Sequence, residues 1–152
     1  MVASVENETV QTLCIEKETF IEAPLDLAFE ALLEELGPGN EAPGSPMPMV
    51  IEPWPGGRWF RDLGNNSGHL WGHVQVIKPP TLLEISGPLF MSYPSLNHIQ
   101  YRLVAEGRGT KLKFVHRAIG EIAADHREGV SMGWEHIMNR IRTLAESRSK
   151  TR

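Results

Sequence analysis

Alternating apolar and polar positions run through most of the chain, and this period of two predicts a largely antiparallel β protein. The pattern predicts a strand over residues 10–22 and further strands over residues 49–53, 58–62, 70–78, 82–86, 97–106 and 110–117. Turns rich in Gly, Pro and Asn separate them, and Gly107-Arg108-Gly109 joins the last two as a tight hairpin. Strands that follow one another this closely are typical of a meander.

Two segments carry helical spacing instead. The first is predicted over residues 25–36, between Pro24 and Gly37, because its leucines recur every three or four positions. The second lies at the C-terminus, where an apolar stripe runs from Trp134 to Leu144 and is firm over residues 131–147. Gly129 and Gly133 weaken its first part. Helices and strands are segregated along the chain, which predicts the α+β class.

Residues 37–48 interrupt the regular pattern. They read GPGNEAPGSPMP, a composition that predicts a loop. A loop of this length within a compact domain is often functional. We therefore expect it to lie at the rim of any binding site and to act as its gate.

Length and composition bound the rest. The 152 residues fit one domain, predicted over residues 10–147, with a flexible N-terminus at 1–9 and a frayed basic tail at 148–152. The net charge of −4 argues against nucleic acid as a partner. Cys14 is the only cysteine, and no signal peptide or membrane-spanning segment is evident, so we expect a cytoplasmic protein that does not bind membranes.

Five short motifs, in order, resemble the START-like (SRPBCC) superfamily, and in particular its Hsp90-ATPase-activator-homologue-like branch. They are Phe20-Ile21-Glu22-Ala23-Pro24, Pro55-Gly56-Gly57-Arg58, the segment GHVQVIKPPTLL at 72–83, Gly109-Thr110-Lys111-Leu112 with His116, and Gly133-Trp134. The resemblance implies the helix-grip (START/Bet v 1-like) fold, in which a curved antiparallel sheet of seven strands wraps around a long C-terminal helix. It also implies a cavity between sheet and helix.

Strand parity and the helical stripe then predict which side chains face that cavity. The predicted lining is Phe60, Val74, Val76, Leu83, Ile85, Ile99, Tyr101, Leu103, Leu112, Phe114, His116, Trp134, Ile137 and Met138. The same side chains could instead fill the centre as a packed core. Trp59 and Trp71 fall on the opposite parity, where they would either form an exposed apolar patch typical of an interface or contact the first helix or the loop at 37–48.

His116 and Tyr101 are the foremost polar groups of the predicted lining. His116 could act as a general acid or base, or it could be a buried histidine bonded to a neighbouring group, and the second interpretation is favoured because no carboxylate partner is evident. His69 and His73 share a strand face but lie roughly 13 Å apart, too far for one metal ion. No phosphate loop or dinucleotide motif in the right context occurs, so we expect neither metal nor cofactor.

Three functions remain open at this stage. The favoured one is binding of a small hydrophobic or aromatic molecule. The second is an enzyme of the polyketide cyclase or aromatase type, with His116, Tyr101 and either Arg58 or Asp62 guiding the ligand. The third is a co-chaperone-like interaction module that acts through Trp59 and Trp71 on a protein partner or a second copy. Since few polar groups converge, the balance leans away from an enzyme.

Overall fold

The computed structural model describes residues 4–152, of which residues 4–10 form no helix or strand. The predicted N-terminal segment at 1–9 thus lies partly outside the described residues. The elements, in chain order, are β1 (Gln11–Ile21), α1 (Leu25–Leu36), β2 (Glu41–Ala42), β3 (Ser45–Pro46), β4 (Val50–Ile51), β5 (Arg58–Gly64), β6 (Ser67–Lys78), β7 (Leu82–Gly87), β8 (Ser95–Glu106), β9 (Gly109–Gly120) and α2 (Ala124–Lys150).

The main sheet has seven strands in the order β1-β9-β8-β7-β6-β5-β4, and every pairing is antiparallel. Its first strand pairs with its last, from Gln11 opposite Gly120 to Ile21 opposite Thr110. The inward sheet residues and the buried residues of α1 and α2 form one hydrophobic core. The predicted α+β class and helix-grip architecture are therefore confirmed.

The first helix spans the predicted range. It begins after Pro24, whose carbonyl accepts the N–H of Ala28, and it ends where the Gly37 N–H reaches the carbonyls of Leu33 and Glu34. Its last-turn carbonyl at Leu36 accepts a 2.7 Å bond from the indole N–H of Trp59, which satisfies a group that helix ends otherwise leave free.

The C-terminal helix is longer than predicted at both ends. It begins at Ala124, and Gly129 and Gly133 do not interrupt it. It also continues through Arg148 and Lys150, whose charges complement the helix dipole at its C-terminus, so the expected frayed tail at 148–152 is mostly helical. Arg152 then pairs with Asp26 of α1 at 3.0 Å. Neither helix of residues 4–152 could span a membrane.

Two irregularities in β6 reverse the strand parity. Val74 is buried opposite Ile85 as predicted, but the register shifts before Val76, which pairs with the outward Glu84. Ile77 pairs with the inward Leu83 and packs against the core in its place. The prediction that Val76 faces inward is therefore wrong, because a bulge inserts one residue that an unbroken alternation does not contain.

The second irregularity corrects the prediction for β5. Trp59 pairs with Gly72 while Phe60 pairs with Leu70, which leaves Trp71 as the extra residue of β6. Trp59 and Trp71 are both buried and meet edge to face at 5.0 Å. Phe60 is instead turned outward, where the Arg58 guanidinium lies 4.6 Å from its ring centre. The predicted exposed Trp59–Trp71 patch does not form, since both rings serve the core.

Residues 37–48 are more ordered than a loop. After a turn at Gly37, the strands β2 and β3 pair as a small hairpin, with Glu41 opposite Pro46 and Ala42 opposite Ser45. Backbone bonds from Met47 N–H to the Asn40 carbonyl and from Met49 N–H to the Gly37 carbonyl close its base. We call residues 41–46 the β2–β3 hairpin.

Candidate ligand-binding cleft

His116 lies on β9 at the centre of a buried hydrogen-bond chain. Its Nδ1 accepts the indole N–H of Trp134 at 2.9 Å, so its Nε2 carries the proton and donates to Asn97 Oδ1 at 2.7 Å. The Asn97 amide in turn donates to the Pro88 carbonyl and to Ser95 Oγ. Burial lowers the pKa of His116 to about 4. The imidazole is thus neutral and fully bonded, which supports the structural interpretation.

Aromatic rings occupy the space between sheet and helix beside this chain. Tyr101 and Phe114 lie 4.8 Å apart, and Phe114 and Trp134 lie 4.9 Å apart. Burial raises the pKa of the Tyr101 hydroxyl, which has no hydrogen-bond partner within residues 4–152. The other predicted inward residues of this region are buried in the same core: Val74, Leu83, Ile85, Ile99, Leu103, Leu112 and Met138.

An open space lies to one side of that core, along the N-terminal half of α2. It is a cleft of about 310 Å³ with mostly apolar walls. Of the residues predicted to line a cavity, Trp134 and Ile137 line it. The full lining is Asn40, Glu41, Ala42, Pro43, Met47, Trp71, Phe90, Asp125, His126, Gly129, Val130, Gly133, Trp134, His136 and Ile137. The cleft is bounded by α2, by the β2–β3 hairpin and its flanks, and by Trp71 with Phe90.

Unpartnered polar atoms are concentrated in these walls. Asn40 Oδ1 and Trp71 Nε1 are buried and have no hydrogen-bond partner among the described residues, and His136 Nε2 makes no hydrogen bond although it lies 3.5 Å from Glu41 Oε1. Asn40 is 2% exposed and Trp71 is 7% exposed. A buried polar group without a partner costs roughly 1–3 kcal/mol, so native structures leave few of them. Two of these residues, Asn40 and Trp71, lie on different sides of the cleft lining, which are formed by the β2–β3 hairpin region and by β6.

Ion pairs hold the β2–β3 hairpin against α2. The Arg140 guanidinium contacts Glu41 of the hairpin at 3.1 Å and Glu35 of α1 at 2.9 Å. His136 approaches Glu41 at 3.5 Å. Glu35 is almost completely buried, so Arg140 neutralises a charge that burial would otherwise disfavour. One guanidinium therefore joins both helices and the outer wall of the cleft.

The far end of the cleft contains a second oriented histidine. Tyr93 Oη accepts the Ala123 N–H at 3.2 Å and forms a second hydrogen bond of 2.7 Å with His126 Nδ1. Phe90 meets the same imidazole edge to face at 5.2 Å. The ring is thereby oriented in the wall of the cleft, which Asp125 also lines.

The polar residues proposed for catalysis do not come together. His116 and Tyr101 are sealed within the core, while Arg58 forms a bidentate pair with Glu52 and lies outside it. Asp62 accepts the Gly64 N–H at the exposed end of β5. Within residues 4–152, no three His, Cys, Asp or Glu side chains are grouped as metal ligands.

Sequence reasoning missed Asn40, Trp71, Phe90 and His126 as lining residues. Trp71 was assigned to the wrong face, and the other three lie outside the strands whose parity could be analysed. The one available signal was the Gly- and Pro-rich segment at 37–48. It was expected to border a binding site, and its residues 40–43 and 47 do line the cleft.

Fold and cleft together define a helix-grip domain with an apolar recess beside its long helix. A model of the family described as Activator of Hsp90 ATPase homolog 1-like protein matches residues 22–146. The chain therefore belongs to this family, which is part of the START-like (SRPBCC) superfamily, and the predicted resemblance is confirmed. A comparison with curated proteins finds no matching sequence.

Solved structures share the fold at low identity. A putative uncharacterized protein from Rhizobium leguminosarum is 16% identical with a TM-score of 0.71, over 91% of this chain and 97% of that one. CalU16 from Micromonospora echinospora is 19% identical with a TM-score of 0.60, over 91% and 87%. The protein Ara h 8.0201 is 16% identical with a TM-score of 0.63, over 90% and 99%. Such identities show common architecture alone.

Proposed function

We propose that this domain binds a small, mostly apolar molecule in the cleft beside α2. The observation that carries the proposal is the cleft itself. Its walls are mostly apolar, and its volume of about 310 Å³ is at the lower end of the roughly 300–1,000 Å³ typical of small-molecule sites. Membership of the family supports a ligand-binding role in general terms.

The unpartnered wall atoms add polarity to the expected ligand. Asn40 Oδ1 is an acceptor that needs a donor, and Trp71 Nε1–H is a donor that needs an acceptor. Both atoms are enclosed in the walls, so a ligand with matching groups would pair with them after a small shift of the two side chains. A purely aliphatic molecule would cover the apolar walls but would leave both polar atoms without a hydrogen-bond partner.

Binding is favoured over catalysis because of how the polar groups are used. Both ring nitrogens of the neutral His116 are hydrogen-bonded, one to Trp134 and the other to Asn97. Tyr101 is enclosed by apolar neighbours. Tyr93 orients His126. A general acid or base must lie within hydrogen-bond reach of a reacting group, so an oriented histidine does not by itself define a catalytic site. A recess with few converging polar groups is suited to holding a molecule rather than transforming it.

The test is the thermal stability of the purified domain with 2-naphthol and, separately, with 1-decanol. A ligand that binds only the folded state raises the melting temperature as its concentration increases. We expect at least one probe to raise it. Ile137→Trp should abolish the shift, because Ile137 lines the cleft and a larger ring would fill it.

Met132→Trp is the matched control. Met132 lies on the same helix, is 74% exposed and does not line the cleft, so this variant should keep the full shift. Absence of any shift in the folded wild-type protein, or an equal loss in both variants, would contradict the proposal.

A further inference from the structure

Two glycines lie one turn apart on the side of α2 that faces the cleft. Gly129 and Gly133 both line it, in the interior of a helix that runs from Ala124 to Lys150. A glycine inside a helix costs about 1 kcal/mol relative to alanine. The pair thus weakens the longest helix of the protein at the place where that helix borders the open space.

The fold does not require either glycine. Neither has a positive φ, so the backbone at these positions suits any L residue. Apart from chain neighbours and the backbone of the helix itself, no heavy atom of residues 4–152 lies within 4 Å of a Cβ built at either position. By contrast, a Cβ at Gly72 would lie 2.8 Å from Ile85 and from the Ser86 carbonyl.

The missing side chains change the shape of the cleft. Because both positions line it, a methyl group at either would extend into open space that the bare backbone now leaves free. Two glycines at i and i+4 expose a flat strip of helix backbone. A planar ring can pack its whole face against such a strip. A slender alkyl chain is narrow enough to bind without it.

Unpartnered polar atoms form the second, independent observation. Asn40 and Trp71 are each more than nine-tenths buried, line the same cleft, and have no partner in the described chain for Oδ1 and Nε1 respectively. These atoms lack one donor and one acceptor. A hydroxyl group can donate to the first or accept from the second, so a hydroxylated ligand suits these walls better than a hydrocarbon.

We propose that Gly129 and Gly133 are specificity-determining residues, and that their bare backbone selects a planar aromatic ligand that carries a hydroxyl group. The proposal deepens the binding function given above and rests on it. The ring lies along the glycine strip, and its hydroxyl pairs with Asn40 Oδ1 or Trp71 Nε1 once that side chain turns towards the cleft.

Three probes of equal carbon number separate shape from polarity: 2-naphthol, naphthalene and 1-decanol. Their dissociation constants are measured by isothermal titration with the wild-type protein and with Gly129→Ala and Gly133→Ala. Because overpacking of a site costs about 1–3 kcal/mol, we expect each variant to bind 2-naphthol about tenfold more weakly or worse. Binding of 1-decanol should change by less than about threefold, because a flexible chain can avoid one methyl group.

Stability provides the internal control. Alanine is the better helix former, so both variants should melt at a higher temperature than the wild type while they bind the ring more weakly. Loss of binding with a gain in stability excludes misfolding as its cause. Met132→Ala changes an exposed position of the same helix outside the cleft and should leave all three affinities unchanged.

The outcomes are distinguishable from those that test binding itself. If the wild type binds 1-decanol as tightly as 2-naphthol, or if both glycine variants weaken the two probes equally, the glycine proposal fails and the binding function stands. Equal affinity for naphthalene and 2-naphthol would overturn the hydroxyl assignment. If the wild type binds none of the three, both proposals fail.

Discussion

The indole N–H of Trp134 donates a 2.9 Å hydrogen bond to Nδ1 of His116, and this bond fixes a buried imidazole in its neutral form. Asn97 Oδ1 accepts the single ring proton, which is on Nε2, so both ring nitrogens are hydrogen-bonded while the imidazole is uncharged. The residue that most resembled a catalytic base is therefore part of the link between the sheet and α2.

The burial of His116 makes the stability of the protein depend on pH. Its pKa is lowered to about 4 in the folded state, below the ordinary 6.5, so the unfolded chain binds more protons there. The contribution of the neutral, buried His116 to the free energy of unfolding is complete above pH 6.5 and is lost as the pH falls towards 4. We expect His116 to reduce the free energy of unfolding by about 2 kcal/mol between pH 7.5 and pH 5.

Urea unfolding at several pH values measures this effect. The difference should disappear in His116→Phe, which is less stable overall, and persist in His69→Gln, which changes an exposed histidine. An unchanged pH dependence in His116→Phe would show that other groups cause it.

Trp59 should contribute strongly to stability through its indole nitrogen. Trp59→Phe removes the 2.7 Å bond to the Leu36 carbonyl and leaves a gap in the core, so we expect a loss of about 2–4 kcal/mol. Trp54→Phe is the control, because Trp54 is 54% exposed and should change the free energy of unfolding by less than about 0.5 kcal/mol. Equal effects would contradict the inward placement of Trp59.

The bulge in β6 can be tested with two neighbouring residues. Ile77→Thr places a hydroxyl against the core and should cost about 1–3 kcal/mol, whereas Val76→Thr on the outer face should be nearly neutral. Chemical denaturation of both variants gives the comparison. A larger loss of stability for Val76→Thr would show instead that Val76 faces the core, as an unbroken alternation predicts.

Arg140 should matter more than a surface arginine. Arg140→Gln leaves the buried Glu35 without its 2.9 Å partner and releases Glu41, so we expect a loss of about 1–3 kcal/mol and faster amide exchange in the β2–β3 hairpin. Arg142→Gln removes only a 4.0 Å contact with Glu146 near the surface and should change stability by less than about 0.5 kcal/mol. Unchanged exchange in the hairpin of Arg140→Gln would show that Arg140 does not hold it.

Periodicity predicted the elements well because local signals define them. Pro24 and Gly37 mark both ends of α1, and the turns place every strand of the main sheet within a few residues. Bulges could not be predicted, since an extra residue is defined only by the partner strand. One bulge exchanged the roles of Val76 and Ile77, and the other brought Trp71 inward.

The cleft could not be predicted from strand parity because most of its lining does not come from strand faces. It joins residues 40–43 and 47, Trp71, Phe90 and one side of α2, which the chain brings together only on folding. Gly129 and Gly133 were interpreted as weak points of a helix. Their position beside the cleft, on which the proposed role in ligand selection rests, depends on the folded chain and has no signal in the sequence.

The pairing of β1 with β9 has a consequence for how the chain folds. Gln11 meets Gly120, so the sheet is completed only when a loop of about 100 residues closes, and contacts so distant in sequence slow folding. During synthesis β1 leaves the ribosome well before its partner strand β9. We expect the nascent chain to carry β1 as an unpaired strand until β9 has been made.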